Sequence, residues 1–293
     1  MKKIRKVIIP VAGLGTRMLP ATKAIPKEML PLAGKPIIQH IVEEIKAAGF
    51  EEIILVTHSS KYSIENHFDT SFELEATLDK RIKRLLLKEI KNISKIGVSI
   101  QSVRQGEAKG LGHAILAAKK IIGSDSFAVV LPDMLLQNSN PKNNLALMKS
   151  NFDKDGIPSI LFGTASKKQI PNYGIAKIKK IKGFSGLGSV ESIIEKPSLR
   201  RAPSNLFAAG RYIFTSDLMD HLLEIPLDKS NEIQLTKAID FFIKTNGKVH
   251  GFKAEGNIHD CGNKLGFLIA NIEYSKSDPE IGNLLKKYLR KNV

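Results

Sequence analysis

The chain has 293 residues, 42% of them hydrophobic and 6% aromatic, and a formal charge of +16. This length and apolar content provide a core for one large α/β domain or two smaller ones. No apolar run approaches the ~20 residues that cross a bilayer, which excludes a membrane-spanning protein and predicts no membrane partner. The single cysteine, Cys261, excludes an internal disulfide and favours a reduced, cytoplasmic setting.

The positive charge has two interpretations. One is a nucleic-acid-binding protein, and the other is a lysine-rich solvated surface with part of the charge serving small anionic substrates. The basic residues are scattered, and their local clusters contain no interleaved aromatic side chains for stacking on bases. These clusters are Lys80–Arg84, Lys177–Lys182 and Lys286–Lys291. We favour the second interpretation and expect no nucleic-acid partner.

Strand and helix patterns alternate along the first half of the chain. The predicted strands are Lys6–Val11, Ile53–Thr57, Val98–Val103 and Phe127–Leu131, and the predicted helices are Ile37–Ala48, Glu73–Ile93 and Gly110–Ile122. The proline-rich segment Pro20–Pro36 fits neither a helix nor a central strand, so it predicts a long, functional loop that ends at the first helix, with Pro36 as the first helical residue. The alternation predicts a parallel sheet with helices on both faces.

The second half of the chain has a mixed pattern. Its predicted strands are Ser159–Thr164, Gly174–Ile178, Val190–Glu195, Ala208–Phe214 and Val249–Lys253. Its predicted helices are Ser216–Leu223, Gln234–Lys244 and a terminal helical tail from Gly262. The Lys/Gly/Ser-rich stretch Lys177–Ser189 indicates a hairpin or loop. With no linker and no internal repeat, the pattern predicts one domain over residues 1–293.

A glycine-punctuated turn, Val11–Arg17, follows the first strand. Gly13 and Gly15 let backbone N–H groups approach a phosphate or a base without an intervening Cβ. The turn is not a dinucleotide fingerprint, because the third glycine would fall at Met18. Taken alone, a Gly-x-Gly turn is usually just a tight turn.

Charged residues follow this turn and three later strands. Arg17 and Lys27 flank the proline-stiffened loop and are suited to hold several oxygens of a triphosphate, although two solvated surface cations are the commoner case for such a pair. Asp133 lies just past a buried strand, where a carboxylate can hold Mg²⁺ or cap a turn. Asp260 lies in a glycine-bounded turn after Val249–Lys253. Lys196 follows another strand, and Pro197 disfavours a helical backbone at Lys196.

The loop Gly13–Pro31 resembles the signature loop of the sugar-nucleotide pyrophosphorylases. Its Ala-Thr-Lys-Ala-Ile-Pro-Lys-Glu-Met stretch is similar to the bacterial UDP-glucose pyrophosphorylase branch, whereas thymidylyl relatives usually carry Ser-Lys in place of Pro26-Lys27. The resemblance covers nearly the whole chain, and many motifs in one order are far more specific than any one of them. These motifs include Thr57–Lys61, Ile64–Asp69, Lys109–Ala114, Leu131–Asp133, Glu195–Pro197, Glu232–Thr236 and His259–Lys264.

The resemblance implies an α/β, Rossmann-like nucleotidyltransferase fold, with a mixed central sheet, helices on both faces and inserted β structure over the sugar site. It implies transfer of a uridylyl group from UTP to glucose 1-phosphate with Mg²⁺ held by Asp133 and Asp260. We expect a nucleotide-binding half at about 1–135 and a sugar-binding and helical part at about 136–293. The resemblance also suggests a homo-oligomer, a dimer or tetramer, in which the tail Gly262–Lys291 is a candidate contact.

The resemblance also implies roles for individual residues. Arg17, Lys27, Asp133 and Lys196 are expected to be catalytic, with Lys196 on the phosphate of the sugar phosphate and Glu195 on sugar hydroxyls. Gln105 and Gly110 are expected to read the base, and Gly174 to make room for the sugar. The remaining expected substrate contacts are Ala12, Gly13, Gly15, Thr16 and Glu28.

Two alternatives to this function stay open. The first is the same chemistry with another base or sugar, such as dTTP or galactose 1-phosphate, because pocket shape decides that choice. The second is a non-catalytic nucleotide sensor or RNA-binding protein on the same fold. That protein would have lost a metal carboxylate or a phosphate-binding lysine, whereas both aspartates and all three basic residues are present here.

Overall fold

The computed structural model describes residues 3–137, 143–245 and 247–292. Its strands are β1 Lys6–Pro10, β2 Pro31–Leu32, β3 Lys35–Pro36, β4 Glu52–Thr57, β5 Ser99–Arg104, β6 Phe127–Val130, β7 Met134–Gln137, β8 Ser159–Thr164, β9 Gly174–Lys179, β10 Gly188–Glu195, β11 Leu206–Phe214, β12 His250–Lys253 and β13 Asn257–Asp260. Its helices are α1 Ile37–Ala47, α2 Tyr62–Phe68, α3 Phe72–Lys80, α4 Arg84–Ser94, α5 Gly110–Ala117, α6 Lys119–Ile122, α7 Asn144–Asp155, α8 Leu218–Glu224, α9 Leu235–Lys244, α10 Lys264–Ser277 and α11 Gly282–Asn292.

A nine-stranded mixed sheet forms the centre of the protein, in the order β5-β4-β1-β6-β11-β8-β12-β10-β9. The first four strands in this order run parallel, as the alternation of the first half predicts. Strand β11 is antiparallel to both β6 and β8, so the second half makes the sheet mixed. The expected α/β, Rossmann-like fold with a mixed central sheet is therefore confirmed.

Apolar clusters cover both faces of the sheet. Successive residues of a strand point to opposite faces, so Ile8 belongs to one buried cluster and Ile9 to the other. Helices α1 and α7 contribute buried residues to the Ile9 cluster, while α5, α8 and α9 contribute to the Ile8 cluster. Within the described residues, no helix is long and apolar enough to cross a membrane.

The main sheet ends in a hairpin, and two two-stranded sheets, β2–β3 and β7–β13, complete the architecture of the described residues. Strands β9 and β10 form the antiparallel hairpin expected around Lys177–Ser189, and β9 also meets β11 through the pair Phe207 and Ile175. Strands β7 and β13 pair antiparallel outside the main sheet. The pair β7–β13 was not predicted, and it corrects the position of Asp260: this residue ends its own strand instead of lying in a turn after β12.

Several predicted elements differ in their limits. The single helix expected over Glu73–Ile93 is two helices, α3 and α4, and Ile82 between them has a φ of +55°. Neither helix has a fully buried residue, and only the partly buried Ile93, near the end of α4, packs against the core, so little packing favours one continuous helix. The helix expected over Gly110–Ile122 divides into α5 and α6, and Pro36 lies immediately before α1 instead of inside it. Helices α2 and α7 were not predicted.

Candidate active site

Two adjoining cavities lie beyond the carboxyl ends of the parallel strands, the usual ligand edge of such sheets. The first measures about 390 Å³ and the second about 270 Å³. The first is lined by the predicted residues Ala12, Gly13, Gly15, Thr16, Lys27, Gln105, Gly110 and Asp133. The second is lined by Arg17, Asp133, Gly174, Glu195, Lys196 and Asp260. The cavities meet at Asp133, so the structure brings together every predicted site residue except Glu28.

The glycine turn after β1 is anchored at both ends. The Val11 N–H donates to the Val56 carbonyl oxygen at 2.8 Å, which ties the start of the turn to β4. Gly15 has a φ of +66°, in the region that favours glycine, and the Thr22 hydroxyl donates to its carbonyl oxygen at 2.8 Å. The turn therefore presents its backbone to the first cavity from a fixed position.

Lys27 and Asp133 form an ion pair where the two cavities meet. The Lys27 ammonium lies 2.6 Å from Asp133 Oδ2, and the two side chains are 19% and 22% exposed. Burial opposes charge on both groups, but the attraction between them prevails: the pKa of Lys27 is raised and the pKa of Asp133 is lowered. Both groups therefore stay charged at neutral pH, and Arg17 adds a second positive charge that lowers the Asp133 pKa.

Glu28 is placed differently from the prediction. Its side chain is 1% exposed and accepts a hydrogen bond from the Lys61 ammonium at 2.8 Å. Burial raises the pKa of Glu28 and lowers the pKa of Lys61, because both charges have been removed from water. Glu28 is therefore a buried support of the loop that carries Lys27, instead of the direct substrate contact expected from the sequence.

Asp133 and Asp260 converge because β7 and β13 pair. Met134 stands opposite Asp260 in the register, and the Cys261 N–H donates to the Asp133 carbonyl oxygen at 2.8 Å. The Asp260 carboxylate is held by the Tyr173 hydroxyl, 2.8 Å from Oδ2, and by the Gly262 N–H, 2.8 Å from Oδ1. Lys27 holds the Asp133 carboxylate, while Tyr173 and Gly262 hold that of Asp260. Three separate parts of the chain thus fix the two carboxylates.

The Asp133 and Asp260 carboxylates both lie against Gly262, which makes them candidates to share a small divalent cation. A Cβ added at Gly262 would lie 2.9 Å from Asp260 Oδ1 and 3.1 Å from Asp133 Oδ2, so a larger residue there would crowd both carboxylates. In the part of the chain that the structure describes, no three His, Cys, Asp or Glu side chains form a metal cluster. Mg²⁺ does not require one, since it is usually held by one or two carboxylates together with phosphate oxygens and water.

The second cavity contains a compact polar group on its far side. Glu195 Oε2 accepts a hydrogen bond from the Thr236 hydroxyl at 3.1 Å. A Cβ at Gly174 would lie 2.8 Å from Thr236 Cγ2 and 3.3 Å from Glu195 Oε2, which explains the glycine there. The ammonium of Lys196, whose side chain is 58% exposed, lies 3.7 Å from Glu195 Oε1.

The backbone of Lys196 is strained. Its φ is +42°, a left-handed conformation that costs roughly 1–3 kcal/mol for a residue other than glycine. The Lys196 N–H donates to the Tyr173 carbonyl oxygen at 3.0 Å, which holds this conformation. The sequence analysis attributed the backbone conformation of Lys196 to Pro197. The structure adds a second cause, the hydrogen bond to Tyr173.

The first cavity ends in an amide and a glycine. Gln105 is 6% exposed, and its amide nitrogen lies 3.2 Å from the Gly110 carbonyl oxygen and 3.0 Å from His113 Nδ1. Gly110 has a φ of +83°, and a Cβ there would lie 2.7 Å from Glu232 Cβ. These two contacts hold the side-chain amide in one orientation at the end of the cavity.

Residues 6–277 match the family described as nucleotidyl transferase. A UTP–glucose-1-phosphate uridylyltransferase of Haemophilus influenzae is 48% identical, over 97% of this chain and 98% of its own length. The chain belongs to the nucleotidyl transferase family.

Solved structures agree with this family assignment. A UTP-bound UGPase from Acinetobacter baumannii superposes with a TM-score of 0.90 and 41% identity, covering 99% of this chain and all of that one. A UDP-glucose pyrophosphorylase complexed with UDP-glucose gives a TM-score of 0.84 at 37% identity, covering 94% of this chain and all of that one. This nucleotidyl transferase thus shares its fold with proteins whose structures hold a nucleotide or a nucleotide sugar.

Several residues around the site escaped prediction. Tyr173, Thr236 and Lys61 lie inside or beside motifs that the resemblance identifies, but their partners come from distant parts of the chain. Gly262 lies two residues after Asp260, and its importance is visible only once the fold brings Asp133 beside it. In the sequence, only their place in or near a motif marks these residues. Hydrogen bonds between distant segments leave no periodic pattern in a sequence, so their partners could not be predicted.

Proposed function

We propose that this chain transfers the uridylyl group of UTP to glucose 1-phosphate, giving UDP-glucose and pyrophosphate. The observation that carries the proposal is the meeting of two cavities at Asp133, with cations on both sides. The full-length similarity to uridylyltransferases supports UTP and glucose 1-phosphate as the substrates.

We assign the two cavities to the two substrates. The glycine turn, Gln105 and Gly110 line the first cavity, which suits a triphosphate and its base: backbone N–H groups bind phosphate, and an amide pairs with a uracil edge. Glu195 lines the second, which suits a sugar phosphate because a carboxylate accepts from hydroxyls. Lys196, on the rim of the second cavity, is the candidate phosphate contact.

The reaction needs positioning more than acid–base chemistry. A phosphate oxygen of glucose 1-phosphate attacks the α-phosphorus of UTP as the bond from that phosphorus to the β-phosphate oxygen breaks. The nucleophile is already anionic, so no general base is needed, and bringing two like-charged substrates together is the main obstacle. Arg17 and Lys27 would neutralise the triphosphate and the leaving pyrophosphate, while Lys196 would hold the attacking phosphate.

Asp133 and Asp260 are the residues that we assign to Mg²⁺. The two carboxylates that converge beside Gly262 support this assignment. When bound, the ion would supply positive charge to phosphate oxygens, the general contribution of Mg²⁺ in phosphoryl and nucleotidyl transfer. Tyr173 would keep Asp260 in position through its hydroxyl.

We also expect a cytoplasmic homo-oligomer. The reduced cysteine Cys261 is compatible with the cytoplasm. The two C-terminal helices expose apolar side chains that a partner copy would cover: Leu265, Leu268, Leu284 and Tyr288 are each more than half exposed. Light scattering coupled to size exclusion tests this expectation, and a monomer at micromolar concentration would contradict it.

Pyrophosphate release from purified protein tests the proposed function. The assay contains Mg²⁺ and glucose 1-phosphate and compares UTP with dTTP, ATP, CTP and GTP. We expect release that requires both substrates and strongly favours UTP. Preference for dTTP would keep the mechanism and overturn the base assignment, while no release with any triphosphate would refute the enzymatic function.

A further inference from the structure

Arg211 is a buried cation beside the turn that carries Asp133. The residue lies on β11, and its side chain is 0% exposed. Its Nε and Nη2 donate to the two carboxylate oxygens of Glu44, at 3.0 and 2.6 Å. Its Nη1 donates to the carbonyl oxygens of Met134 and Leu131, at 2.6 and 3.3 Å. The two carbonyl groups lie on either side of Pro132-Asp133.

Strand β11 is shaped to receive this turn. Its register against β8 shifts between Ala208 and Tyr212, and within that irregularity Gly210 has a φ of +76°. The Gly210 carbonyl oxygen accepts from the Leu131 N–H at 2.8 Å. A Cβ at Gly210 would lie 3.0 Å from Leu131 Cβ, so a larger residue would push the turn away. Both the bulge and the arginine therefore act on the same four residues, 131–134.

A buried guanidinium needs partners for its remaining N–H groups as well as for its charge, so the position of those partners is the informative feature. Burying a guanidinium is costly, and a pair with Glu44 alone would already offset part of that cost. The partners of Nη1 are the carbonyl oxygens of Leu131 and Met134. They lie on both sides of Asp133, where the two cavities meet. A lysine could not replace it, because only the planar guanidinium forms the bidentate pair and the carbonyl bonds together.

We propose that Arg211 and Glu44 are a positioning pair for the reaction. The guanidinium fixes the backbone of residues 131–134, and that backbone fixes the Asp133 carboxylate against Asp260 and Lys27. This inference rests on the proposed function, since it concerns the carboxylate that we assign to Mg²⁺. Neither Arg211 nor Glu44 lines the two cavities, so the pair acts through Asp133 and not through the substrates.

Arg211→Lys tests the proposal because it keeps the charge and loses the planar fork. We expect kcat to fall and the Mg²⁺ concentration for half-maximal rate to rise, each by about 10–100-fold, as for other residues that orient metal ligands. The KM for UTP should change much less. In an Asp133→Asn background the same substitution should cause little further loss, because residues that act as a unit are not additive.

A second measurement does not depend on turnover. Binding of Mn²⁺ to the protein, followed by electron paramagnetic resonance with UTP present and glucose 1-phosphate absent, should be weakened by Arg211→Lys and by Glu44→Gln. If Arg211→Lys does not fold, Glu44→Gln carries the test. Ile122→Val is the control for lost stability, because Ile122 lies at the amino-terminal end of the sheet beside Lys6, far along the strands from the cavities.

The outcomes separate the two proposals. Wild-type protein that releases no pyrophosphate would refute the proposed function, while the Mn²⁺ measurement still decides on the positioning pair. Wild-type turnover with an unchanged kcat and Mg²⁺ requirement in Arg211→Lys would overturn the pair. Equal losses from Arg211→Lys with and without Asp133→Asn would also overturn it, since the arginine would then act independently of Asp133.

Discussion

Gly262→Ala tests whether crowding the two aspartates impairs catalysis. The new Cβ would lie 2.9 Å from Asp260 Oδ1 and 3.1 Å from Asp133 Oδ2. To reach an ordinary contact of 3.4 Å, the Asp260 oxygen must retreat by about 0.5 Å and the Asp133 oxygen by about 0.3 Å. Mg²⁺ tolerates little departure from octahedral geometry with oxygens at ~2.0–2.1 Å. Both carboxylates are therefore displaced on the scale that impairs metal binding.

The expected loss in kcat/KM is about 10–100-fold, or roughly 1.4–2.7 kcal/mol of transition-state stabilisation. The φ of Gly262 lies outside the left-handed region, so alanine is allowed there and the melting temperature should change by no more than about 2 °C. Initial rates across a Mg²⁺ titration, together with calorimetry, measure both effects. Gly106→Ala is the matched control, because its Cβ would meet nothing within 4 Å. Wild-type rates and Mg²⁺ dependence in Gly262→Ala would show that crowding the two carboxylates does not affect catalysis.

Three further predictions use simpler changes. Asp133→Asn should lose most of kcat while circular dichroism shows a folded protein, and near-wild-type turnover in Mg²⁺ would remove Asp133 from the metal role. Lys196→Ala should raise the KM for glucose 1-phosphate more than that for UTP, and the reverse would reassign Lys196. Burial raises the pKa of the Cys261 thiol from about 9 to about 12, so at pH 8 the folded protein has about 10³-fold less thiolate and should resist iodoacetamide until unfolded; rapid native alkylation would contradict this.

The parallel half of the fold was predictable because each of its elements is encoded locally. Buried strands such as β4 and β6 read as apolar runs bounded by turns, and α1 has a regular apolar period. The strand–helix alternation then predicts that these strands run parallel. In contrast, β7 and β13 are four residues each and pair only with each other, so neither has a pattern of its own.

The candidate site was predictable residue by residue but not in its contacts. Motifs placed Asp133, Lys27 and Lys196 at strand ends and in a stiff loop, and the structure brings them to adjoining cavities. Glu28 shows the limit of this reasoning, because a motif cannot tell an exposed carboxylate from one that is 1% exposed and paired with Lys61. Arg211 shows it too: its partners are 77 to 167 residues away, beyond any local pattern.

A single-turnover experiment with UTP labelled at the α-phosphorus would show whether the uridylyl group passes directly from UTP to glucose 1-phosphate. Protein in excess over labelled UTP is mixed with Mg²⁺, with or without glucose 1-phosphate, quenched, and separated by chromatography. We expect the label to pass to UDP-glucose only when glucose 1-phosphate is present, and none to become attached to the protein. Label that stays in UTP under all conditions, or that first appears on the protein, would contradict direct transfer between the two cavities.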